Sequence, residues 1–199
     1  MGTTVIRNIW AVGRNYADHA KELNNPLPKE PLFFLKAGSS AQEGSVLKFP
    51  TTLGELHHEV ELALRFNDKL QFSHYCVALD LTDRTAQNEA KKQGLPWTRA
   101  KSFKGACVLS PWQEFQNQES FWHQQLRLSV NGEIRQMSLL TEMIFRPPEL
   151  RLKLLEMYPV EPGDVLLTGT PAGVGPLKKG DQLIAQLGHE SEIYWGVET

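Results

Sequence analysis

Glu59 and Glu61 stand one residue apart in the run His57-His58-Glu59-Val60-Glu61-Leu62-Ala63-Leu64. The run has period two, so as a strand it points His57, Glu59 and Glu61 to one face and His58, Val60 and Leu62 to the other. Two carboxylates side by side among apolar residues repel, so either one holds a proton or a cation lies between them. Carboxylate oxygens suit the hard divalent ions Mg²⁺, Mn²⁺ and Ca²⁺. A solvated strand face is the alternative. A third acid, Asp80, closes the apolar run Tyr75-Cys76-Val77-Ala78-Leu79, where a buried strand would present another hydrophobic residue. Thr82 and Asp83 lie nearer the start of the helix that follows and are the better caps, which leaves Asp80 as a third oxygen ligand.

Four further groups have the types and spacing for chemistry. Arg84 and Gln87, three apart on one helix, share a face that can hydrogen-bond a substrate carboxylate or carbonyl, or can lie exposed. His19 and Glu22 have the same spacing, so the carboxylate can orient the imidazole as a general base; an incidental surface pair is the alternative. Lys101 sits among aromatic and small residues in Pro96-Trp97-Thr98-Arg99-Ala100-Lys101-Ser102-Phe103, where its ammonium can face a developing oxyanion or snorkel to the surface. The run Leu166-Leu167-Thr168-Gly169-Thr170-Pro171-Ala172-Gly173-Val174-Gly175 leads from a strand into a glycine-rich loop. Its backbone N–H groups and Thr hydroxyls can cradle a carboxylate. Its glycine spacing matches neither nucleotide-binding pattern.

The elements that must position these groups are short. Residues 4 to 13 read as a strand ending at Gly13, followed by a helix that Asn15 can cap and that runs through Leu23, with Tyr16, Ala20 and Leu23 inward and a stop at Asn24-Asn25-Pro26. Strands are expected at Leu32 to Leu35, 57 to 64 and 75 to 81, and a helix from about Arg84 to Gln93 that Gly94 and Pro96 terminate. Asn131-Gly132 between Leu126-Arg-Leu-Ser-Val and Glu-Ile-Arg is a type I′ hairpin signal. Pro147-Pro148 opens a helix through Met157. Gly-Asp turns at Gly163 and Gly180 each launch a strand.

With 199 residues, 41% hydrophobic and 22% charged, the chain has the profile of a soluble globular protein, and no linker divides it. One domain, 1–199, is expected. A net charge of −2 offers no basic surplus for nucleic acid or an anionic membrane. Cys76 and Cys107 stand apart, without disulfide or thiolate-metal spacing. No signal peptide, myristoylation signal or run of 18 apolar residues is evident, so a cytoplasmic protein is expected.

Taken in order, Gly13-Arg-Asn-Tyr-Ala-Asp-His19, Phe34-Leu-Lys36, His57-His-Glu-Val-Glu61, Ala78-Leu-Asp80, Lys101-Ser-Phe103 and Thr168-Gly-Thr-Pro171 resemble the fumarylacetoacetate hydrolase family across nearly the whole chain. With Leu95-Pro-Trp-Thr98, the resemblance points to its acylpyruvase and oxaloacetate decarboxylase subgroup. It implies a mixed α/β, predominantly β fold, a β-roll with short peripheral helices, in a homodimer. It also implies Mg²⁺ or Mn²⁺ on Glu59, Glu61 and Asp80, with Ca²⁺ able to replace them in a crystal. The positions matching His19 and Glu22 would form a dyad on a mobile lid that activates water. Lys101 and Gln87 would hold the pyruvoyl end of a 2-oxo acid, Thr170 its carboxylate, and Arg14, Arg84 and Gly169 would also contact substrate. The activity implied is hydrolysis of an acylpyruvate, with oxaloacetate decarboxylation beside it. Isomerases, decarboxylases and dehydratases on the same scaffold are the rivals, and a non-catalytic 2-oxo acid binder is the remaining alternative. Where the family reads D-x-T-A-R-D, this chain has Asp80-Leu-Thr-Asp83-Arg84-Thr85, and its segment between Leu64 and Tyr75 is shorter, without room for a small helix.

Overall fold

A computed structural model of the chain describes residues 5–22 and 26–198. Strands dominate it, with short helices at the periphery, as expected. The central sheet has the order Leu32–Ala37, Asn8–Gly13, Val165–Leu167, Val60–Phe66, Phe72–Asp80, Cys107–Leu109, Ala41–Glu43, and Gln113–Glu114 pairs with Phe72–Asp80. Val60–Phe66 and Phe72–Asp80 are buried almost throughout, because they lie in mid-sheet with apolar clusters on both faces. A second sheet, Glu133–Leu139, Gln125–Val130, Gln182–Leu187, Ile193–Val197 and Val46–Leu47, packs its inward row of Leu126, Leu128, Leu183, Ala185 and Trp195 against the first.

Most expected elements are present with shifted ends. The first strand is Asn8–Gly13 rather than 4 to 13, and Thr4 lies outside the described residues. The helix after it is Ala17–Glu22. Its expected end at Leu23, the inward-facing Leu23 and the Asn24-Asn25 part of the stop lie outside the described residues, as does the N-terminal Met-Gly. Asn15 does not serve as the cap. It is fully buried, and its amide donates to the carbonyls of Phe145 and Thr168 while its Oδ1 accepts from Phe145 N–H, so it pins the helix entry to two distant segments. The helices Arg84–Gln93 and Pro147–Met157 have the expected bounds, the first ending on Gly94 at φ +67°. Asn131 and Gly132 both have positive φ, as a type I′ turn requires. The short 65–74 segment is a turn on Asn67, whose side chain accepts from Lys69 and Gln71 N–H, so no small helix is needed to return the chain.

Expected as one strand, residues 57 to 64 are two. Leu56–His58 joins a small third sheet with Gly175–Pro176 and Thr82–Asp83, and Val60–Phe66 joins the central one. Glu59 lies at the break, where its carbonyl still accepts from Asp80 N–H at 2.8 Å. The strand changes sheets at the residue whose side chain serves the site.

Candidate active site

The period-two expectation for His57 to Leu62 agrees with the side-chain contacts. Glu59 and Glu61 converge with Asp80 on one side, with carboxylate oxygens from all three within 4.8 Å of one another. His57 reaches the same side, its Nδ1 accepting from Arg84 Nε at 3.5 Å, while His58 turns away to Gln136. Asp80 ends the strand Phe72–Asp80 and is wholly buried. Helix capping falls to Asp83, whose side chain accepts from Ala86 N–H at 2.9 Å.

Three cations compensate these acids. Lys101 Nζ donates to Glu59 Oε2 at 2.8 Å and to Asp80 Oδ2 at 2.5 Å. Arg84 Nη2 donates to Glu59 Oε1 at 2.5 Å, and its Nη1 donates to Gln87 Oε1 at 2.5 Å. Lys36, fully buried on the edge strand Leu32–Ala37, pairs with Asp80 Oδ1 and donates to the Leu81 carbonyl at 3.3 Å. Burial alone would raise the Glu59 carboxyl, but the charges of Lys101 and Arg84 outweigh it and hold the group far below the usual carboxylate range. Burial likewise works against the Lys101 ammonium, and Asp80 and Glu59 outweigh it in turn.

Glu61 has no such partner. Among the described residues no cationic side chain pairs with it, and its hydrogen bond comes from Gly169 N–H at 2.6 Å. Burial and the neighbouring Asp80 raise its carboxyl well above the ordinary value. A buried oxygen-only trio with one member held against ionisation fits a hard divalent cation, whose charge would favour the ionised form of Glu61.

The nearby dyad is formed. His19 is buried, with Nδ1 3.2 Å from Glu22 Oε2, and Glu22 also accepts from Gly173 N–H at 3.0 Å. A carboxylate only accepts, so Nδ1 carries the hydrogen and Nε2 is the nitrogen left to take part in proton transfer. The glycine loop differs from the sequence expectation in one respect. Both Thr hydroxyls are committed to the neighbouring strand, Thr168 donating to Leu62 O at 2.9 Å and Thr170 to Val60 O at 2.8 Å. Backbone N–H groups therefore remain the means by which this loop can hold an anion.

One cavity collects nearly every residue singled out from the sequence: Arg14, His19, Glu59, Glu61, Asp80, Arg84, Gln87, Lys101 and Thr170 line it. Glu22 and Gly169 stand just behind, touching His19 and Glu61. Sequence reasoning assigned no role to Lys36, nor to Lys91 and Trp97, which line the cavity with the Lys91 ammonium 5.6 Å from the Trp97 ring centre. For Lys36 the signal was present: a charged residue in an apolar strand needs a buried partner, the logic that singled out Asp80.

The family profile described as "Fumarylacetoacetate (FAA) hydrolase C-terminal" matches residues 8–193. Oxaloacetate tautomerase FAHD1, mitochondrial, of Arabidopsis thaliana is 42% identical over 219 aligned positions, which cover 100% of this chain and 97% of the relative. The mitochondrial oxaloacetate decarboxylase of Dictyostelium discoideum is 40% identical over 186 positions, covering 87% and 85%. Among solved structures, fumarylpyruvate hydrolase from Pseudomonas aeruginosa in complex with Mn²⁺ and pyruvate superposes with a TM-score of 0.88 at 29% identity, covering 96% of this chain and 89% of the other.

Proposed function

For a chain that belongs to the fumarylacetoacetate hydrolase family, we propose a divalent-metal-dependent enzyme that enolises a short 2-oxo dicarboxylic acid of the oxaloacetate type, working as a tautomerase. The observation that carries this reading is the charge balance of the cavity. Three carboxylates are balanced by Lys36, Lys101 and Arg84, so a divalent ion on them, with Arg14 and Lys91 also lining the cavity, leaves it clearly positive, which suits a dicarboxylic substrate. Relatives about 40% identical that carry oxaloacetate tautomerase and decarboxylase names support the same substrate class.

Mg²⁺ or Mn²⁺ on Glu59, Glu61 and Asp80 would polarise the 2-oxo group and favour the enolate. His19, with Glu22 holding its tautomer, takes the proton from C3 at Nε2, and the same proton returns to the C2 oxygen, so the keto acid becomes its enol with no atom gained or lost. Lys101 places an ammonium beside the oxygen where charge develops. Arg84 and Gln87 present donors to the pyruvoyl end, and the backbone N–H of Thr170 takes the carboxylate, the Gly169 N–H being held by Glu61. A second reading, hydrolysis of an acylpyruvate to pyruvate and an acid, is favoured by the His19–Glu22 pair, which can deprotonate a water as readily as a carbon acid. Oxaloacetate decarboxylation would instead break the C3–C4 bond, releasing CO2 and leaving the enolate of pyruvate, which then takes a proton at C3.

The test is to strip the protein with chelator, restore Mg²⁺ or Mn²⁺, and follow keto–enol relaxation of oxaloacetate alongside pyruvate release from oxaloacetate and from acetylpyruvate. Metal-restored relaxation faster than pyruvate release supports the tautomerase. Pyruvate release from acetylpyruvate as the dominant activity would replace it with the hydrolase.

A further inference from the structure

Gln136 is the one fully buried residue in the otherwise accessible edge strand Glu133–Leu139, and its amide is saturated. Oε1 accepts from His58 Nδ1 and from Val60 N–H, both at 3.0 Å, and these are the residues on either side of Glu59. Nε2 donates to Thr170 Oγ1 at 2.7 Å and to the Pro171 carbonyl at 2.8 Å. Thr170 Oγ1 in turn donates to the Val60 carbonyl, so Val60, Gln136 and Thr170 close a ring of hydrogen bonds. An amide offers two donors and two acceptor positions, and here all four are occupied by two segments outside the sheet of Gln136, the stretch 58–60 and the loop at Thr170 and Pro171.

We propose that Gln136 is a positioning residue, a clamp from the second sheet that sets the distance between the strand carrying Glu59 and the loop that receives the substrate's carboxylate at Thr170. Its side chain hydrogen-bonds none of the three acids. Its influence passes through Thr170 and through the backbone on either side of Glu59. The assignment rests on the reading above for the identity of the ligand, but the clamp itself does not depend on it.

Gln136→Glu separates the two halves of the clamp. The new carboxylate still accepts from His58 and Val60 but has no proton for the Pro171 carbonyl, and it draws the Thr170 hydroxyl off Val60. Amide hydrogen exchange of the 168–173 segment is expected to rise in this variant while that of Val60–Phe66 stays as in the wild type. A carboxylate contact made alike in ground and transition states reads out in KM, so KM for the 2-oxo acid is expected to rise about tenfold with kcat within about threefold, and the dissociation constant of pyruvate to rise in the same ratio. Mg²⁺ affinity, measured by calorimetry, is expected to stay within about threefold, because the variant keeps its acceptors for the groups flanking Glu59. Unchanged exchange in the loop overturns the clamp whatever the enzyme's substrate. Raised exchange with unchanged KM and pyruvate affinity overturns its role in positioning. A wild-type protein inert toward every 2-oxo acid would count against the proposed function and leave the exchange result to decide the clamp.

Discussion

Asp80 carries two ammonium groups, Lys36 on one oxygen and Lys101 on the other, and none of the three side chains reaches solvent to any extent. Removing one member of a buried ionic cluster leaves charge uncompensated in low dielectric, which costs about 3 kcal/mol or more. Lys36→Met is therefore expected to lower unfolding free energy by about 3 kcal/mol in chelator and by clearly less in saturating Mg²⁺, because a divalent ion supplies Asp80 with replacement charge. Urea titrations with and without metal check this, and equal losses in both would separate Lys36 from the metal site. His19 lines the cavity and pairs with Glu22, not with Glu59, Glu61 or Asp80, so His19→Ala is expected to keep Mg²⁺ affinity while lowering turnover by about 10²–10⁴-fold, the range for loss of a general base. Calorimetry beside the rate assay decides it, and retained turnover would remove His19 from the proton-transfer step. The three acids were legible because charge falls where the local pattern wants an apolar residue, whereas the His19–Glu22 pair, Arg84 and Lys101 were read from spacing and setting with a surface role left open, and the family resemblance alone gave them parts in one site. Lys36 and Gln136 were harder. Lys36, a charge in an apolar strand, signals a buried partner without saying which, and Gln136 looks like one more polar residue on an accessible strand until tertiary contacts bury it.

The glycine loop after the strand Val165–Leu167 joins three parts of the site. Gly169 N–H holds Glu61, Thr170 meets Gln136, and Gly173 N–H holds Glu22. Gly173 has φ +97°, and a Cβ there would lie 1.7 Å from the Arg135 carbonyl, so glycine is required by both conformation and space. Gly173→Ala is expected to cost about 2 kcal/mol or more of stability, and to detach Glu22 so that turnover falls while Mg²⁺ affinity is kept. Thermal unfolding and metal calorimetry on the same preparation test it, and full activity would show that the Glu22–Gly173 contact is dispensable. At this scale the sequence was informative wherever a local signal is strong. The Arg84–Gln93 helix with its Asp83 cap and the Asn131-Gly132 turn follow from neighbouring residues alone. The break at Glu59 did not, because alternation continues through it and only the pairing of Leu56–His58 with Thr82–Asp83 and Gly175–Pro176 pulls the strand into another sheet. Asn15 failed as a cap for a similar reason: Phe145 and Thr168, distant in sequence, compete for its amide.

For the molecule as a whole, the proposed cation on the acidic trio would make stability, metal and pH a single linked system. Glu61 has a folded-state carboxyl raised above its ordinary value near 4.5 by burial and by Asp80. A raised acid binds more protons folded than unfolded, so in the metal-free protein stability declines as pH rises from that value toward the folded one. Burial lowers His57 and His58 from their ordinary value of 6.5 and so acts with the opposite sign, stability falling as pH drops below that value. Neither histidine belongs to the oxygen trio, so their contribution largely cancels in the difference between metal-loaded and chelated protein. Glu59, held far below its ordinary value, is ionised throughout this range and leaves the difference unchanged. What remains is competition between a proton and a cation for Glu61, which the cation wins more easily as protons become scarce. The rise in Tm on adding saturating Mg²⁺ is accordingly expected to grow as pH rises above the ordinary carboxyl value near 4.5, with a proton released on binding that calorimetry in buffers of different ionisation enthalpy would detect. A Tm increment that is flat across this range, with no proton released, would mean that Glu61 is ionised before the metal arrives and that its charge is balanced by something other than the cation.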